Sequence, residues 1–412
     1  MPLVGNVEKT QTPPSRTIRA NAIDRPIVYV IPVTHFGGSL QSSIALLREL
    51  GKSAPVSCLD FYGGCREFLS ALRESGIPNR VLLPGARWQI IGGRNPLTRS
   101  ARMAASSLEY LKVIVQLRRA LTELHPSFIW IDCEKALFAV RRAVGKLYPT
   151  VYFIRGAHPR PSSLMRRDWE GLDAVVCNNR ASIDLFIRYG WDRERLFLAQ
   201  NGVDVIESES VPHLQSPLPD IDASVRIVMP ATLIPVKAHA VAIRGFAAYA
   251  TKHDDSTMWI CGDTPNRLSL DYENSLRTLA RDLGVSEKVH FLGWRNDVPA
   301  IMKAANVFLL TSDSEGLPRS LLEAMLLGLP SICTAVGGVP DVITNGRDGF
   351  LVERGHWEDI ALALEKLRDP TARRVMGGHA MQTVRSRFTI EEQAGQFMDI
   401  LSHAGAGRTG HA

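Results

Sequence analysis

The chain has 412 residues, 45% apolar and 22% charged, with 32 glycines and 24 prolines. That composition is globular and excludes a disordered, collagenous or disulfide-dense protein. At ~150 residues per domain the length predicts two or three domains. Apolar runs such as 304–310, broken by Asn306, fall far short of the ~20 residues that span a bilayer. The polar stretch before residue 25 carries Pro13-Pro14 and lacks the apolar centre of a secretory signal. Cysteines 58, 65, 133, 177, 261 and 333 form no CxxC pair and sit mostly in apolar runs. They read as buried, reduced thiols of a cytoplasmic protein.

Charge is unevenly placed. The formal net charge is +6, yet residues 61–170 alone hold 18 Lys and Arg against 8 Asp and Glu. Such a basic region beside a mildly acidic remainder points to a partner bearing phosphates or anionic lipid headgroups, or to a solvated Arg-rich surface.

In chain order, short β-branched runs alternate with longer amphipathic stretches. Strands are predicted at 27–33, 56–59, 128–131, 150–154, 174–177 and 196–199, with helices at 40–50, 65–74, 98–124 and 180–189 between them. A stretch at 207–222, rich in Ser, Pro and acidic residues, reads as a linker. Beyond it, strands are predicted at 226–229, 258–261, 289–292, 307–311, 331–334 and 349–352, and helices at 239–250, 274–283, 319–327 and 357–367. Near-continuous apolar strands alternating with helices predict an α/β protein with two doubly wound parallel sheets. Their domains are expected at 25–206 and 223–388, facing across a cleft where such folds bind ligands. A flexible segment over 1–24, a helix over 389–404 packing back on the first domain, and a flexible tail over 405–412 complete the expected organisation.

The sharpest constellation runs from Ser312 to Pro340. A predicted strand ends in Ser312-Asp313-Ser314-Glu315-Gly316-Leu317-Pro318, and a helix is predicted from Arg319. With Pro318 in the first turn, the amides of Gly316 and Leu317 are free at a helix N-terminus, a ready anion site. Glu315 precedes that helix and Glu323 lies on it.

Glu315, Glu323 and Gly337-Gly338-Val339-Pro340-Asp341 together resemble the signature of the retaining GT-B glycosyltransferases of family 4, the group 1 glycosyl transferases that include sucrose synthase. Three further segments in the second half resemble that family in its order. Leu233-Ile234-Pro235-Val236-Lys237 is similar to the phosphate loop, and Ile260-Cys261-Gly262-Asp263 to the next strand and turn. Val289-His290-Phe291-Leu292-Gly293-Trp294 is similar to the strand before the base-binding backbone. In the first half, Thr34-His35-Phe36-Gly37-Gly38-Ser39 opens a helix with glycines that let backbone approach a diphosphate, and Asn201-Gly202-Val203-Asp204 resembles the segment closing the first domain. Two departures stand out. Thr232 occupies a position where the family often has an Arg, so one diphosphate cation is missing. Arg155 stands where a His near the donor sugar is common, with His158 three residues on.

The resemblance implies transfer of a sugar from a nucleoside diphosphate-sugar to an acceptor hydroxyl, with retention. It implies Lys237 and Glu315 as catalytic residues. It implies Gly37, Gly38, Thr232, Gly293, Trp294, Gly316, Leu317 and Glu323 as donor-binding residues, with Glu323 at the ribose. No Asp-x-Asp motif stands at a strand end, and neither a metal nor a cofactor is expected. The implied partners are the nucleotide-sugar and a saccharide or lipid-linked acceptor in cell-surface polysaccharide or glycolipid synthesis, with an anionic membrane face and no nucleic acid. The competing readings are a nucleotide-sugar epimerase or hydrolase on the same fold, and a catalytically degenerate binding subunit.

Overall fold

A computed structural model describes residues 23–33, 36–85, 96–156, 165–205, 210–264 and 267–409. The expected N-terminal segment up to residue 22, His158, and the last three residues of the expected tail lie outside them. The first half runs β1 (Ile27–Ile31), α1 (Gly38–Leu50), β2 (Val56–Asp60), α2 (Arg66–Glu74), β3 (Asn79–Val81), α3 (Pro96–Leu124), β4 (Phe128–Ile131), α4 (Glu134–Val144), β5 (Thr150–Ile154), α5 (Arg166–Glu170), β6 (Ala174–Cys177), α6 (Arg180–Arg188) and β7 (Leu196–Leu198). The second runs β8 (Val225–Pro230), α7 (His239–Ala250), β9 (Ser256–Cys261), α8 (Arg267–Asp282), β10 (Val289–Gly293), α9 (Val298–Ala304), β11 (Val307–Leu310), α10 (Arg319–Leu326), β12 (Ser331–Thr334), α11 (Val339–Val342), β13 (Gly349–Val352), α12 (Trp357–Lys366), α13 (Pro370–Arg387) and α14 (Ile390–Thr409).

Each half forms one parallel sheet. The first has the order β3-β2-β1-β4-β5-β6-β7 and the second β10-β9-β8-β11-β12-β13. Alternate strand residues feed opposite faces. Ile27, Tyr29 and Ile31 pack with Leu47 of α1, Phe68 of α2 and Phe397 of α14. Val28 and Val30 pack with Leu117 of α3 and Leu137 of α4. In the second sheet Ile227 and Met229 meet Phe246 of α7 and Leu364 of α12, while Val228 and Phe308 meet Leu321 of α10 and Val384 of α13. Helices cover both faces, which is why these strands read as unbroken apolar runs.

The strand order reverses at β1, between β2 and β4, and at β8, between β9 and β11. Such switch points open a crevice at the carboxyl ends of the strands. The chain crosses back between the halves after α13. Phe388 is buried in the second core and Ile390 in the first, and the intervening Thr389 bridges to Val203. The closing helix continues to Thr409, past residue 404 where the sequence reading ends it. No described helix is long and apolar enough to cross a membrane.

Candidate functional site

The two loops that follow β8 and β11 straddle the second switch point. After β8, Pro235–Lys237 makes one 3-10 turn, and Ala238 takes a left-handed φ of 48° before α7 begins. After β11, Thr311 leaves the strand that the sequence assigns it. Its hydroxyl lies 3.1 Å from the carbonyls of Lys237 and Ala238. The Asp313 amide donates to the Val236 carbonyl at 2.8 Å. These bonds tie the two loops together, so Lys237 and Glu315 meet although they are far apart in the chain. Lys237 Nζ donates to Glu315 Oε1 at 2.6 Å, and Ser312 Oγ donates to the same oxygen at 2.6 Å. Both side chains are mostly buried, Glu315 with 10% of its surface left and Lys237 with 24%.

Gly316 and Gly337 hold the Glu315 loop by close approach. A side chain on Gly316 would begin 2.1 Å from the Arg155 carbonyl oxygen, across the seam between the domains. Gly337 has a φ of 56° and its missing Cβ would lie 1.9 Å from the Glu315 carbonyl oxygen. The Gly338 amide then donates to the Gly316 carbonyl at 2.6 Å. From the first domain, Asn201 Nδ2 donates to the Leu317 carbonyl at 2.8 Å. Pro318 is the N-cap of α10, one place outside the helical turn assigned to it from sequence. Leu317 is buried, and no bond from the Gly316 or Leu317 amide occurs among the described residues.

Glu323, one turn into α10, accepts from Arg319 Nε at 2.6 Å. Gly293 ends β10 with a φ of 66°, and its carbonyl accepts the Gly262 amide at 3.0 Å. Trp294 follows, 65% exposed, its indole donating to Asn296 Oδ1 at 3.1 Å. Thr232 is exposed and offers no charge, as its sequence implies. Thr232, Lys237, Gly293, Trp294, Gly316, Leu317 and Glu323 thus lie along one rim, at or just beyond the carboxyl ends of β10, β8 and β11. Gly37 and Gly38 stand elsewhere, at the N-terminus of α1 beyond the first sheet. Nothing lies within 4 Å of where either would carry a Cβ. Thr34 and His35 are outside the described residues.

Of the first domain's strand-end groups, Arg155 stands out in the sequence whereas Asp132 and Asn178 do not. Asp132 follows β4 and accepts from the Tyr29 hydroxyl; burial raises its pKa, opposed by the charge of Arg155. Arg155 follows β5, its Nη1 3.4 Å from Asn201 Oδ1. Asn178 follows β6. The rule that ligands bind beyond strand carboxyl ends would have singled out Asp132 and Asn178 beside Arg155. Among the described residues no group of three His, Cys, Asp or Glu could hold a metal ion.

Residues 219–381 match the family of glycosyl transferases group 1. The UDP-Gal:alpha-D-GlcNAc-diphosphoundecaprenol alpha-1,3-galactosyltransferase of Escherichia coli is 32% identical over 146 residues, 35% of this chain and 36% of that relative. The match therefore spans about a third of its length. The lipopolysaccharide core biosynthesis glycosyltransferase LpsE of Rhizobium meliloti is 24% identical over 82% of this chain and 96% of its own. Among solved structures, Anabaena Alr3699/HepE in complex with UDP superposes with a TM-score of 0.73 at 22% identity, over 92% of this chain and 99% of that one. Residues 219–381 are thus similar in sequence to that family, and the chain shares its two-domain fold with GT-B glycosyltransferases.

Proposed function

We propose that the protein transfers a sugar from a nucleoside diphosphate-sugar to an acceptor hydroxyl, retaining the anomeric configuration, in the synthesis of a cell-surface polysaccharide or glycolipid. The observation that carries this reading is the Lys237–Glu315 pair across the second switch point, beside the amides of Gly316 and Leu317. As the glycosidic bond breaks, negative charge grows on the diphosphate and positive charge on the sugar ring. An ammonium has three donors, so Lys237 keeps Glu315 with one and offers the others to phosphate oxygens. The α10 amides add a preorganised positive potential, each such donor worth ~3 kcal/mol in the transition state. These groups supply the charge stabilisation without a divalent cation.

Glu315, fixed by Ser312 and Lys237, is placed to hold sugar hydroxyls, and Glu323, steadied by Arg319, to hold the ribose. Gly293 and Trp294 offer backbone and a ring face to the base. Gly37 and Gly38 open the first domain to the diphosphate from the far side. The acceptor enters from that domain, and the departing diphosphate itself takes the acceptor proton. The reading extends to an anionic membrane face. Leu108, Leu111 and Val115 are exposed along one side of α3, beside exposed Lys112, Arg118 and Arg119. A basic helix with an uncovered apolar stripe suits a lipid-linked acceptor.

The test is turnover of purified protein with panels of UDP-, GDP- and ADP-sugars and a polyprenyl diphosphate-linked saccharide, the product's anomeric proton read by NMR. An inverted product would remove the retaining mechanism. Donor binding or hydrolysis without any transfer would favour a binding subunit or a hydrolase instead.

A further inference from the structure

Arg155 is a buried cation whose side chain is left half satisfied. Its guanidinium lies against Phe153, Cζ 4.4 Å from the ring centre, and its Nη1 is 3.4 Å from Asn201. Its Nε and Nη2 are buried with no hydrogen-bond partner among the described residues. Those two atoms form one edge of the fork, the edge whose parallel N–H groups match a pair of oxygens on a carboxylate or phosphate. Asp132 is near enough to act on it electrostatically, but the hydrogen bond Asp132 accepts comes from Tyr29.

Other orphans gather at the same place. Asn178 Nδ2 is buried without a partner among the described residues, 3.0 Å from where a Gly316 side chain would begin. Arg319 Nη1, on the first turn of α10, is likewise buried without a described partner, and its charge reaches Arg155. All of these unpaired atoms are donors. Buried polar groups are normally paired, and a cluster lacking acceptors alone describes a socket for an anion. Lys237 bonds Glu315 from the second domain, whereas from the first the Arg155 carbonyl and Asn178 Nδ2 lie against Gly316. The unpaired donors of Arg155 and Asn178 are thus supplied by the first domain and the proposed diphosphate cation by the second.

We propose that Arg155, with Asn178, binds a second anionic group of the substrates: the carboxylate of an acidic donor sugar, or a phosphate on the acceptor. This rests on the donor reading above and adds a specificity to it. A neutral hexose leaves the guanidinium edge unpaired. A uronate closes it with two charge-assisted bonds.

The test is calorimetry on the full chain with UDP, UDP-glucose and UDP-glucuronate, repeated with the GDP and ADP sets, and with glycerol phosphate as the phosphorylated arm. Wild-type protein is expected to favour the acidic-sugar donor by about tenfold or more, the scale of a bidentate charged pair. Arg155→Gln should erase that preference while leaving affinity for the bare nucleoside diphosphate within about twofold, and Arg155→Lys should restore it only in part. If instead glycerol phosphate binds and that binding is lost in Arg155→Gln, the anion belongs to the acceptor and the socket stands. Equal wild-type affinity for acidic and neutral donors with no phosphate binding overturns the proposal, and needs no variant to fold. A drop in affinity for the bare diphosphate in Arg155→Gln also overturns it, by making Arg155 part of the diphosphate grip. Failure of every nucleotide to bind wild-type protein would instead remove the donor reading, and this one with it.

Discussion

The Gly337 α-carbon sits so close to Glu315 that a Cβ there would lie 1.9 Å from the Glu315 carbonyl oxygen. The Gly-Gly step after β12 is thus a mould for the Glu315 loop. Gly337 also has a φ of 56°, where a side chain adds strain of its own. Gly337→Ala is expected to displace the loop, with a loss of ~1–3 kcal/mol in stability and a larger loss of turnover. A Gly337→Ala protein with wild-type Tm and wild-type kcat would show that the loop tolerates the move.

Lys237 carries the side-chain charge at the proposed diphosphate site, since Thr232 provides none. Lys237→Ala should lower kcat by on the order of a hundredfold or more, the cost of one preorganised donor. It also leaves Glu315 with Ser312 alone. Lys237→Arg should recover part of the rate, because a planar fork replaces a compact ammonium. Wild-type turnover by the alanine variant would move the role to another residue.

Strand positions were legible because burial on both faces makes them plain apolar runs: 128–131, 150–154, 174–177, 331–334 and 349–352 match the observed β4, β5, β6, β12 and β13. Segments whose pattern is set by tertiary contact were not. β3 is a polar edge strand, Asn79–Val81, with exposed residues that carry no apolar signal. α13 contains Gly377-Gly378 and many arginines, so no stripe stands out; Met376, Ala380 and Val384 become a buried face only once it packs on its neighbours. α8 starts at Arg267, well before the predicted residue 274, because its first turns are polar. In the site, motif order pointed to Glu315, Glu323 and Lys237 separately. Their pairings, with Lys237 and with Arg319, depend on loops meeting across a sheet. The contact of Gly316 with Arg155 crosses between domains, and no local spacing encodes it.

Glu323→Ala should weaken donor binding by ~1.5–3 kcal/mol, the loss of a charge-assisted hydrogen bond. It also releases Arg319, whose Nε it accepts at 2.6 Å. Glu323→Gln, which keeps an acceptor oxygen, should lose less. Both are measured by calorimetry beside a thermal melt. Unchanged affinity in the alanine variant takes Glu323 out of the site.

His239 opens α7 beside the Lys237 turn and is fully buried. Burial, with a smaller push from Lys237, lowers its pKa from 6.5 to about 4. The unfolded chain therefore binds a proton that the folded chain refuses between those values. Stability from this group is complete above the unfolded value and falls as pH drops from ~6.5 toward ~4, by up to ~3 kcal/mol. His239→Leu, which cannot titrate, should flatten that part of the profile. Urea melts at pH 7 and pH 4.5 decide it: the same pH dependence in both proteins would assign the acid loss elsewhere.

α3 turns an apolar stripe to solvent. The described part of α3 separates buried from exposed apolar side chains. Val113 and Leu117 are buried, whereas Leu108, Leu111 and Val115 are 57%, 58% and 51% exposed. On the neighbouring α4, Arg142 pairs with Asp168 and lies over Phe138, and Arg141 donates to the carbonyls of Asp168 and Gly145. Attraction to a membrane must then come from α3 itself. Each Lys or Arg near an anionic surface contributes ~1 kcal/mol, and the apolar stripe adds a part that salt does not screen. Vesicles with anionic lipid should sediment the protein at low salt and less so at high salt. Leu108, Leu111 and Val115 changed together to Ser should lower binding at both salts while leaving nucleotide-sugar affinity unchanged. Absence of binding at low salt, or binding equal on neutral vesicles, would leave α3 as a helix whose outer face meets only water.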